Sequence, residues 1–279
     1  MALKGKLFYI YFIYGRTGQK KLFVVKILNN GLRTKDIATG EYISLKTRVP
    51  FKVSELDTIT FKIEKEWIFK KHKYASGKIL DNRLILSNIE AETLVYESDG
   101  IWNPHESYGD EAEEYFSDYI KEGYREAFIF KDYTGYGFYE EEDDPVYNAV
   151  ELKEYGEEEK AYDLLTRLWQ DYPECIDALV HIDSLYFDSE LFLHRSYNCY
   201  KAAVEIAERG MPEDIDGIFL WVCLENRPYL RALNGLYLTL WKQQEYERAY
   251  EVAAKLLRMC PTDNLGVRFN IEKIKNREK

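Results

Sequence analysis

The sequence predicts an α+β protein in which a small N-terminal β barrel is followed by a C-terminal domain of helical hairpins. Before residue 95, segments rich in Tyr, Phe, Ile and Val alternate with turn residues. After Pro145, apolar residues recur with the period of an α-helix. At 279 residues the chain is long enough for two domains that each have a core.

Residues 1–95 are predicted to form the β domain. Turn signals separate the apolar segments: Gly15 to Gly18, Asn29-Asn30-Gly31, Thr39-Gly40 and Ser76-Gly77. The predicted strands are 6–14, 20–28, 41–47, 58–69 and 72–80. Five short strands within about 80 residues fit a small closed or half-closed barrel, of the oligonucleotide-binding or the SH3-like kind. The pattern leaves the strand order open.

Residues 96–144 are predicted to form an acidic connector with one helix. They contain eight tyrosines and end in the acidic run 140–144. A helix is predicted from Asp110 to Phe130, because Ala112, Phe116 and Ile120 share one helical face. The many rings argue against a fully disordered linker, since disordered segments are poor in aromatic residues.

Residues 145–279 are predicted to form helical hairpins. Ala249 and Pro261 stand 12 positions apart, and Ala161 and Pro173 repeat this offset. A small residue lets two helices touch, and a proline ends the second helix, so two copies in one register predict a helical repeat. A third hairpin departs from the pattern, because Asp183 stands where a small residue is expected. The predicted helices are 146–155, 158–171, 174–188, 191–209, 213–224, 227–242 and 246–259.

Charge is segregated along the chain. Residues 1–83 contain 18 Lys and Arg against 7 Asp and Glu, whereas residues 84–144 contain 3 against 18 and residues 145–279 contain 17 against 24. A basic module joined to an acidic remainder indicates contact with a polyanion through one end. It equally fits two halves of one protein that bind each other, and both interpretations stay open.

Residues 65–74 interleave rings with cations on a predicted strand. Cations neutralise phosphates and rings stack on bases, which is how small barrels hold single-stranded nucleic acid. The alternative is that the rings belong to the core and the lysines protect a sheet edge. The candidate nucleic-acid-binding residues are Arg16, Lys20, Lys21, Trp67, Lys70, Lys71, Lys73, Tyr74 and Lys78.

The helical half carries residue types that are favoured at protein interfaces. Trp241 stands four residues from Tyr237 and fits a core ring equally well, whereas packing explains Arg227 and Asn234 least. The candidate protein-binding residues are Arg227, Tyr229, Arg231, Asn234, Trp241 and Arg268.

Local motifs of catalysis, metal binding and cofactor binding are missing from the sequence. No cysteine pair has C-x-x-C spacing, and Gly15 to Gly18 lacks the Lys-Ser/Thr ending of a phosphate loop. His181 near Asp177 and Asp183 is interpreted as a hydrogen-bonded histidine rather than a metal ligand. The apolar run 7–14 is too short to cross a bilayer. We therefore expect no catalytic residue, metal or cofactor, and a cytoplasmic location.

The tail resembles the tetratricopeptide-like family. Residues 227–268 match a hairpin of the form R-P-Y-L-R-A…G-L…L-W that leads into P-x-D-N-x-G-V-R, found in poorly characterised prokaryotic proteins. Residues 25–41 are similar to a small β module often placed ahead of that tail. Some relatives carry a cysteine-rich SEC-C zinc knuckle, whose cysteines this chain lacks. The resemblance implies a helical fold and a scaffold role, and names no reaction or substrate.

These observations predict a non-enzymatic adaptor. The barrel is expected to contact RNA, for example on the ribosome, while the helical repeats bind a protein or form a homodimer. The alternative is a pure protein-interaction module, or an inhibitor whose acidic connector imitates a polyanion. A hydrolase with its carboxylates in a pocket that sequence does not reveal is a third reading.

Overall fold

A computed structural model describes residues 11–13, 18–50, 52–108, 114–131, 144–184, 193–213 and 215–278. The chain divides into two compact units, residues 1–89 and residues 90–279. The described part of the predicted connector belongs to the second unit. The predicted loop at Tyr133 to Gly137 and the acidic run up to residue 143 lie outside the described residues.

The first unit contains a closed five-stranded barrel. Its strands pair in the order β5-β2-β3-β4-β6, and β6 returns to β5 to close the ring. The β4–β6 pairing is parallel, whereas the other described pairs are antiparallel. The strands are β1 (Tyr11–Ile13), β2 (Gln19–Leu28), β3 (Gly31–Asp36), β4 (Tyr42–Lys46), β5 (Asp57–Phe69) and β6 (His72–Leu84). The short β1 pairs with β5. The predicted β barrel is therefore confirmed.

Alternating apolar residues fill the barrel. Leu32 and Thr34 of β3, and Ile43 and Leu45 of β4, are buried, while the residues between them are not. This alternation places one set of side chains inside and the other outside. The buried core comprises Leu22, Val24, Leu32, Ile43, Leu45, Val53, Ile59, Phe61, Ile63 and Ala75.

The predicted turn at Ser76-Gly77 is wrong, because both residues lie within β6. A Cβ atom at Gly77 would lie 2.0 Å from the carbonyl oxygen of Lys62, next to the β-bulge at Ile63/Lys65. The glycine thus permits a close approach of two backbones rather than a turn. Strand β3 was missed, because the polar segment 31–36 has few of the residues that favour strands.

The second unit begins with a two-stranded ribbon, β7 (Val95–Trp102) and β8 (Arg125–Lys131), which are joined through the short helices α1 (Pro104–Tyr108) and α2 (Ser117–Glu122). The predicted helix from Asp110 to Phe130 is wrong beyond Glu122. Gly123 at φ 81° ends α2, and the following residues pair with β7 instead.

An aromatic cluster holds this ribbon to the helices. The rings of Phe128 and Phe130 lie 5.9 and 5.3 Å from the ring of Phe219, which itself lies 5.6 Å from the buried ring of Tyr229. Asn226 is fully buried and its amide donates to the Phe128 carbonyl oxygen at 3.0 Å and accepts from the Phe130 N–H at 3.2 Å. The side chain thereby satisfies backbone groups of β8 that no strand covers.

Seven further α-helices follow among the described residues. They are α3 (Pro145–Glu154), α4 (Glu158–Asp171), α5 (Ile176–Ser184), α6 (Leu193–Glu208), α7 (Arg227–Lys242), α8 (Tyr246–Met259) and α9 (Arg268–Lys275). The predicted bounds of α4, α7 and α8 are those observed. The predicted helix 213–224 is wrong, because Ile218 forms a parallel bridge with Ala127 there. Helix α9 was not predicted.

Each helix from α3 to α8 packs against the next helix along the chain. Helix α5 also contacts α3 and α7. Ala161 and Ala249, the predicted small positions, are both fully buried. Between α6 and α7 the close approach depends on Gly235, where a Cβ atom would lie 2.2 Å from the Tyr200 ring.

We expect Gly235→Ala to lower stability. Helix propensity alone would favour alanine by about 1 kcal/mol, whereas overpacking against the Tyr200 ring costs about 1–3 kcal/mol. Urea unfolding of the wild-type and variant proteins measures whether the substitution lowers or raises the free energy of unfolding. A variant as stable as the wild type, or more stable, would contradict the close packing of α6 on α7.

Candidate nucleic-acid interface

The strand register places one row of side chains across the outside of the barrel. Lys26 of β2 pairs with Arg33 of β3, and Arg33 pairs with Ser44 of β4. Ser44 pairs with Tyr74 of β6, and Tyr74 with Trp67 of β5. Directly paired residues point to the same side of a sheet, so these side chains lie beside one another. None of them is buried.

Two flanking rows extend this surface. Lys35 pairs with Tyr42 on one side of the central row. On the other side, Ser76 pairs with Lys46 of β4 and with Lys65 of β5. We name the whole surface the ring-and-cation face, which comprises Lys26, Arg33, Lys35, Tyr42, Ser44, Lys46, Lys65, Trp67, Tyr74 and Ser76.

The rings of this face are positioned by local contacts. Trp67 and Tyr74 are stacked with their centroids 5.6 Å apart and their planes 9° from parallel. Tyr42 is 48 % exposed, and the Arg33 guanidinium lies 5.1 Å from its ring centroid. Arg33 also donates to the Ser44 hydroxyl at 3.0 Å. An arginine held over an exposed ring offers both a charge and a flat surface to a ligand.

Acidic residues of the barrel are largely occupied away from this face. Asp36 pairs with Lys20 at 2.6 Å, and Glu41 pairs with Lys73 at 2.5 Å. Partial burial alone would raise the pKa of Asp36, but the hydrogen bonds from Lys20 and the Ala38 N–H outweigh it and lower the pKa. Glu55 and Asp57 are buried. The ring-and-cation face as defined contains five cations and no acidic residue, which favours a positive potential there.

The structure brings some predicted residues together and separates others. Trp67 and Tyr74 lie on the face. Lys70 and Lys71 form the two-residue turn between β5 and β6, at one end of the face, with φ values of 47° and 68°. Two-residue hairpin turns need positive φ and favour Asn-Gly, so two lysines there are strained.

The other predicted cations lie elsewhere. Lys73 is paired with Glu41 and Lys20 with Asp36. Lys78 pairs with Lys62 in the outward row that follows Lys65 and Ser76, so this pair borders the face. Lys21 lies on β2 opposite Thr60 of β5. Arg16 lies outside the described residues.

Sequence reasoning missed most of the face. Arg33 and Lys35 were not selected, because β3 was not recognised as a strand. Tyr42 and Lys46 lie on the predicted strand 41–47, but the open strand order did not link that strand to Trp67 and Tyr74. A signal was present: in residues 31–36 the positions of Arg33 and Lys35 alternate with Leu32 and Thr34, the pattern of a half-buried strand.

In the second unit, three predicted residues share one side of α7. The guanidinium groups of Arg227 and Arg231 lie 5.2 and 5.7 Å from the ring centroid of Trp221. Arg231 also pairs with Asp177 of α5 at 3.3 Å. Asn234 follows Arg231 by three residues and therefore lies on the same helical face.

The remaining predicted protein-binding residues make contacts within the unit. Tyr229 is fully buried and donates to Glu208 at 2.9 Å, and burial raises the pKa of its hydroxyl well above the ordinary value. Trp241 donates to the Glu278 carbonyl oxygen at 2.7 Å. Full burial makes Tyr229 a core residue, which a partner cannot reach.

The C-terminal motif P-x-D-N-x-G-V-R forms a capped turn. The Asp263 carboxylate accepts from the Val267 N–H at 2.7 Å and pairs with Arg268 at 2.9 Å. Asp263 and Gly266 have φ values of 49° and 71°. Arg268 also lies over the rings of Phe116 and Phe269. The motif thus sets the start of α9.

The four cysteines are free thiols. Within the described ranges, no group of three or more His, Cys, Asp and Glu side chains is placed to hold a metal ion. No described helix is both long and apolar enough to cross a membrane. Comparison with family models, curated proteins and solved structures finds no match to this chain.

His181 on α5 makes the second unit sensitive to pH. Burial lowers the pKa of His181 below its ordinary 6.5, with Arg231 and Lys153 acting in the same direction. Asp177, at 3.6 Å, and Asp144 oppose this shift without cancelling it. The unfolded chain therefore takes up a proton before the folded one, and stability present above pH 6.5 is lost as the pH falls.

We expect His181→Gln to remove this part of the acid sensitivity. The free energy of unfolding, measured with urea at ~pH 7.5 and ~pH 5.5, should fall less on acidification in the variant than in the wild type. Titrating carboxylates act in both proteins, so the difference between them isolates the histidine. Equal pH dependence in the two proteins would show that His181 titrates alike in both states.

Proposed function

We propose that this protein is a non-enzymatic adaptor whose barrel binds single-stranded RNA on the ring-and-cation face, while its helices bind a protein partner or a second copy. The observation that carries the proposal is the coincidence of three rings, Trp67, Tyr74 and Tyr42, with five cations on one outer face.

The two kinds of side chain suit the two parts of a single strand. Lysine and arginine neutralise phosphates and release counterions, which makes binding weaken with salt. Exposed rings stack on unpaired bases, at about 1–3 kcal/mol per base. A duplex keeps its bases stacked inside, so the rings favour a single strand. Ribosomal RNA loops are one source of such strands.

The strand order of the barrel also supports binding of single-stranded nucleic acid. Counting the barrel strands from β2, the order around the ring is first, second, third, fifth and fourth. Oligonucleotide-binding barrels bind their ligands on the second and third strands and on the loops after the first and fourth strands. In this chain those elements are β3, β4, the turn at Asn29-Asn30 and the turn at Lys70-Lys71.

The helical half supports a partner-binding role. Tetratricopeptide-like repeats stack hairpins through small residues, and Ala161 and Ala249 are fully buried at the predicted positions. Helix α5 contacts both α3 and α7, as expected when the first helices of successive hairpins stand side by side. Arg227, Arg231 and Trp221 then offer a partner two guanidinium groups around one indole.

The proposal is tested with two triple variants of equal charge. One is Arg33→Gln, Lys35→Gln and Lys46→Gln on the face, and the matched control is Lys21→Gln, Lys52→Gln and Arg83→Gln, three exposed cations of the first unit that lie outside the rows of the face. Binding of a labelled single-stranded oligoribonucleotide is followed by anisotropy over a range of salt concentrations. The slope of log affinity against log salt should fall by about 2 in the face variant, since each lost phosphate contact removes about 0.7.

The control should keep both the affinity and the slope of the wild type. An equal loss of affinity in both variants would show that binding depends only on net charge, and would contradict the assigned face. No binding by the wild-type protein would contradict the RNA-binding proposal itself and favour the pure protein-interaction module. A duplex of the same sequence should bind more weakly than the single strand.

A further inference from the structure

Strand β7 has a sheet partner on one edge only among the described residues, because its ribbon consists of β7 and β8. Its side chains are exposed at six of eight positions. An open edge presents unpaired backbone donors and acceptors, which another chain can use to add a strand.

The hydrogen bonds of β8 show which groups of β7 point outward. The Phe130 N–H donates to Asn226 at 3.2 Å, and the Phe128 N–H donates to the Ile218 carbonyl oxygen at 2.7 Å, so both point away from β7. Their ladder partners are Tyr96 and Ser98. In an antiparallel pair the two residues of a non-hydrogen-bonded pair both direct their N–H and C=O groups away from each other. The backbone groups of Tyr96 and Ser98 therefore point to the open edge.

Apolar side chains accompany this edge. Val95 is 60 % exposed and Ile101 is 66 % exposed. The Cys223 thiol lies 3.6 Å from the Asp99 carboxylate, and its neighbours Val222 and Leu224 are 75 % and 56 % exposed. The β-bulge between Ser98 and Gly100 places Val95 and Ile101 on opposite faces of the ribbon, because Val95 pairs with Lys131 and Ile101 with Glu126. An added strand with apolar residues at alternate positions would cover Val95 on one face and direct its other side chains to the face of Glu126.

Acidic residues near β7 favour a positively charged partner strand. Asp99 of β7 and Glu126 of β8 are exposed carboxylates that form no ion pair with a described residue. Residues 90–279 contain 20 Lys and Arg against 42 Asp and Glu. Pairing of β7 with the same strand of a second copy would place these acids against each other, which is unfavourable. A strand with lysine or arginine at alternate positions would instead meet opposite charge.

We propose that the open edge of β7 docks an extended, positively charged segment of a partner protein as an added β-strand. Main-chain hydrogen bonds at Tyr96 and Ser98 supply affinity, Val95 covers its apolar side chains on one face of the ribbon, and Asp99 and Glu126 select its charge. The proposal does not depend on RNA binding by the barrel.

The test uses the full-length protein and a labelled peptide in which lysine and valine alternate, with a glutamate–valine peptide as the control. We expect the lysine peptide to bind and the glutamate peptide not to bind. Ser98→Pro removes an outward N–H without removing a β7–β8 hydrogen bond, and should weaken binding roughly tenfold or more. Ser98→Ala, which keeps the N–H, should bind as the wild type does.

A second variant keeps the test decisive if the proline disturbs the ribbon. Asp99→Lys should weaken the lysine peptide and strengthen the glutamate peptide, with an unchanged circular dichroism spectrum. Equal binding of both peptides to the wild-type protein, or full binding to both Ser98→Pro and Asp99→Lys, would overturn the proposal.

Discussion

The parallel pairing of β4 with β6 is the contact on which the barrel surface depends. It closes the ring of strands and places Tyr74 beside Ser44. The β5–β6 hairpin carries the stacked pair of Trp67 and Tyr74, whereas β3 and β4 carry Arg33, Lys35 and Lys46. Without the closing pair, rings and cations would lie on separate edges. One backbone ladder therefore creates the surface to which we assign nucleic-acid binding.

Aromatic packing has the corresponding role in the second unit. Phe219 lies among the rings of Phe128, Phe130 and Tyr229, and the buried Asn226 satisfies backbone groups of β8. These contacts occupy the β8 edge of the ribbon, whereas no described strand pairs with the other edge of β7. Tyr96, Phe128 and Phe130 thus anchor the ribbon to the rest of the second unit. The same anchoring holds β7 in a fixed position for an added strand.

How far the sequence predicts this structure depends on the range of the interactions that form each element. The helices α4, α7 and α8 were predicted at their observed bounds, because apolar periodicity and proline act locally. The ribbon was missed because β7 and β8 pair across the segment that contains α1 and α2. The segment around Ile218 was missed because it pairs with β8, about 90 residues away. The face was half predicted: Trp67 and Tyr74 stand in an aromatic and basic run, whereas Arg33 and Tyr42 join them only through strand register. No local pattern encodes that register.

The most direct test of the account is photo-crosslinking of a single-stranded oligoribonucleotide that contains 4-thiouridine to the full-length protein, followed by mass spectrometric identification of the linked residues. If RNA binds on the ring-and-cation face, we expect crosslinks at Tyr42, Tyr74 or Trp67, whose rings would stack on the bases. Crosslinks confined to barrel residues outside the ring-and-cation face, or to the helices, would contradict this assignment.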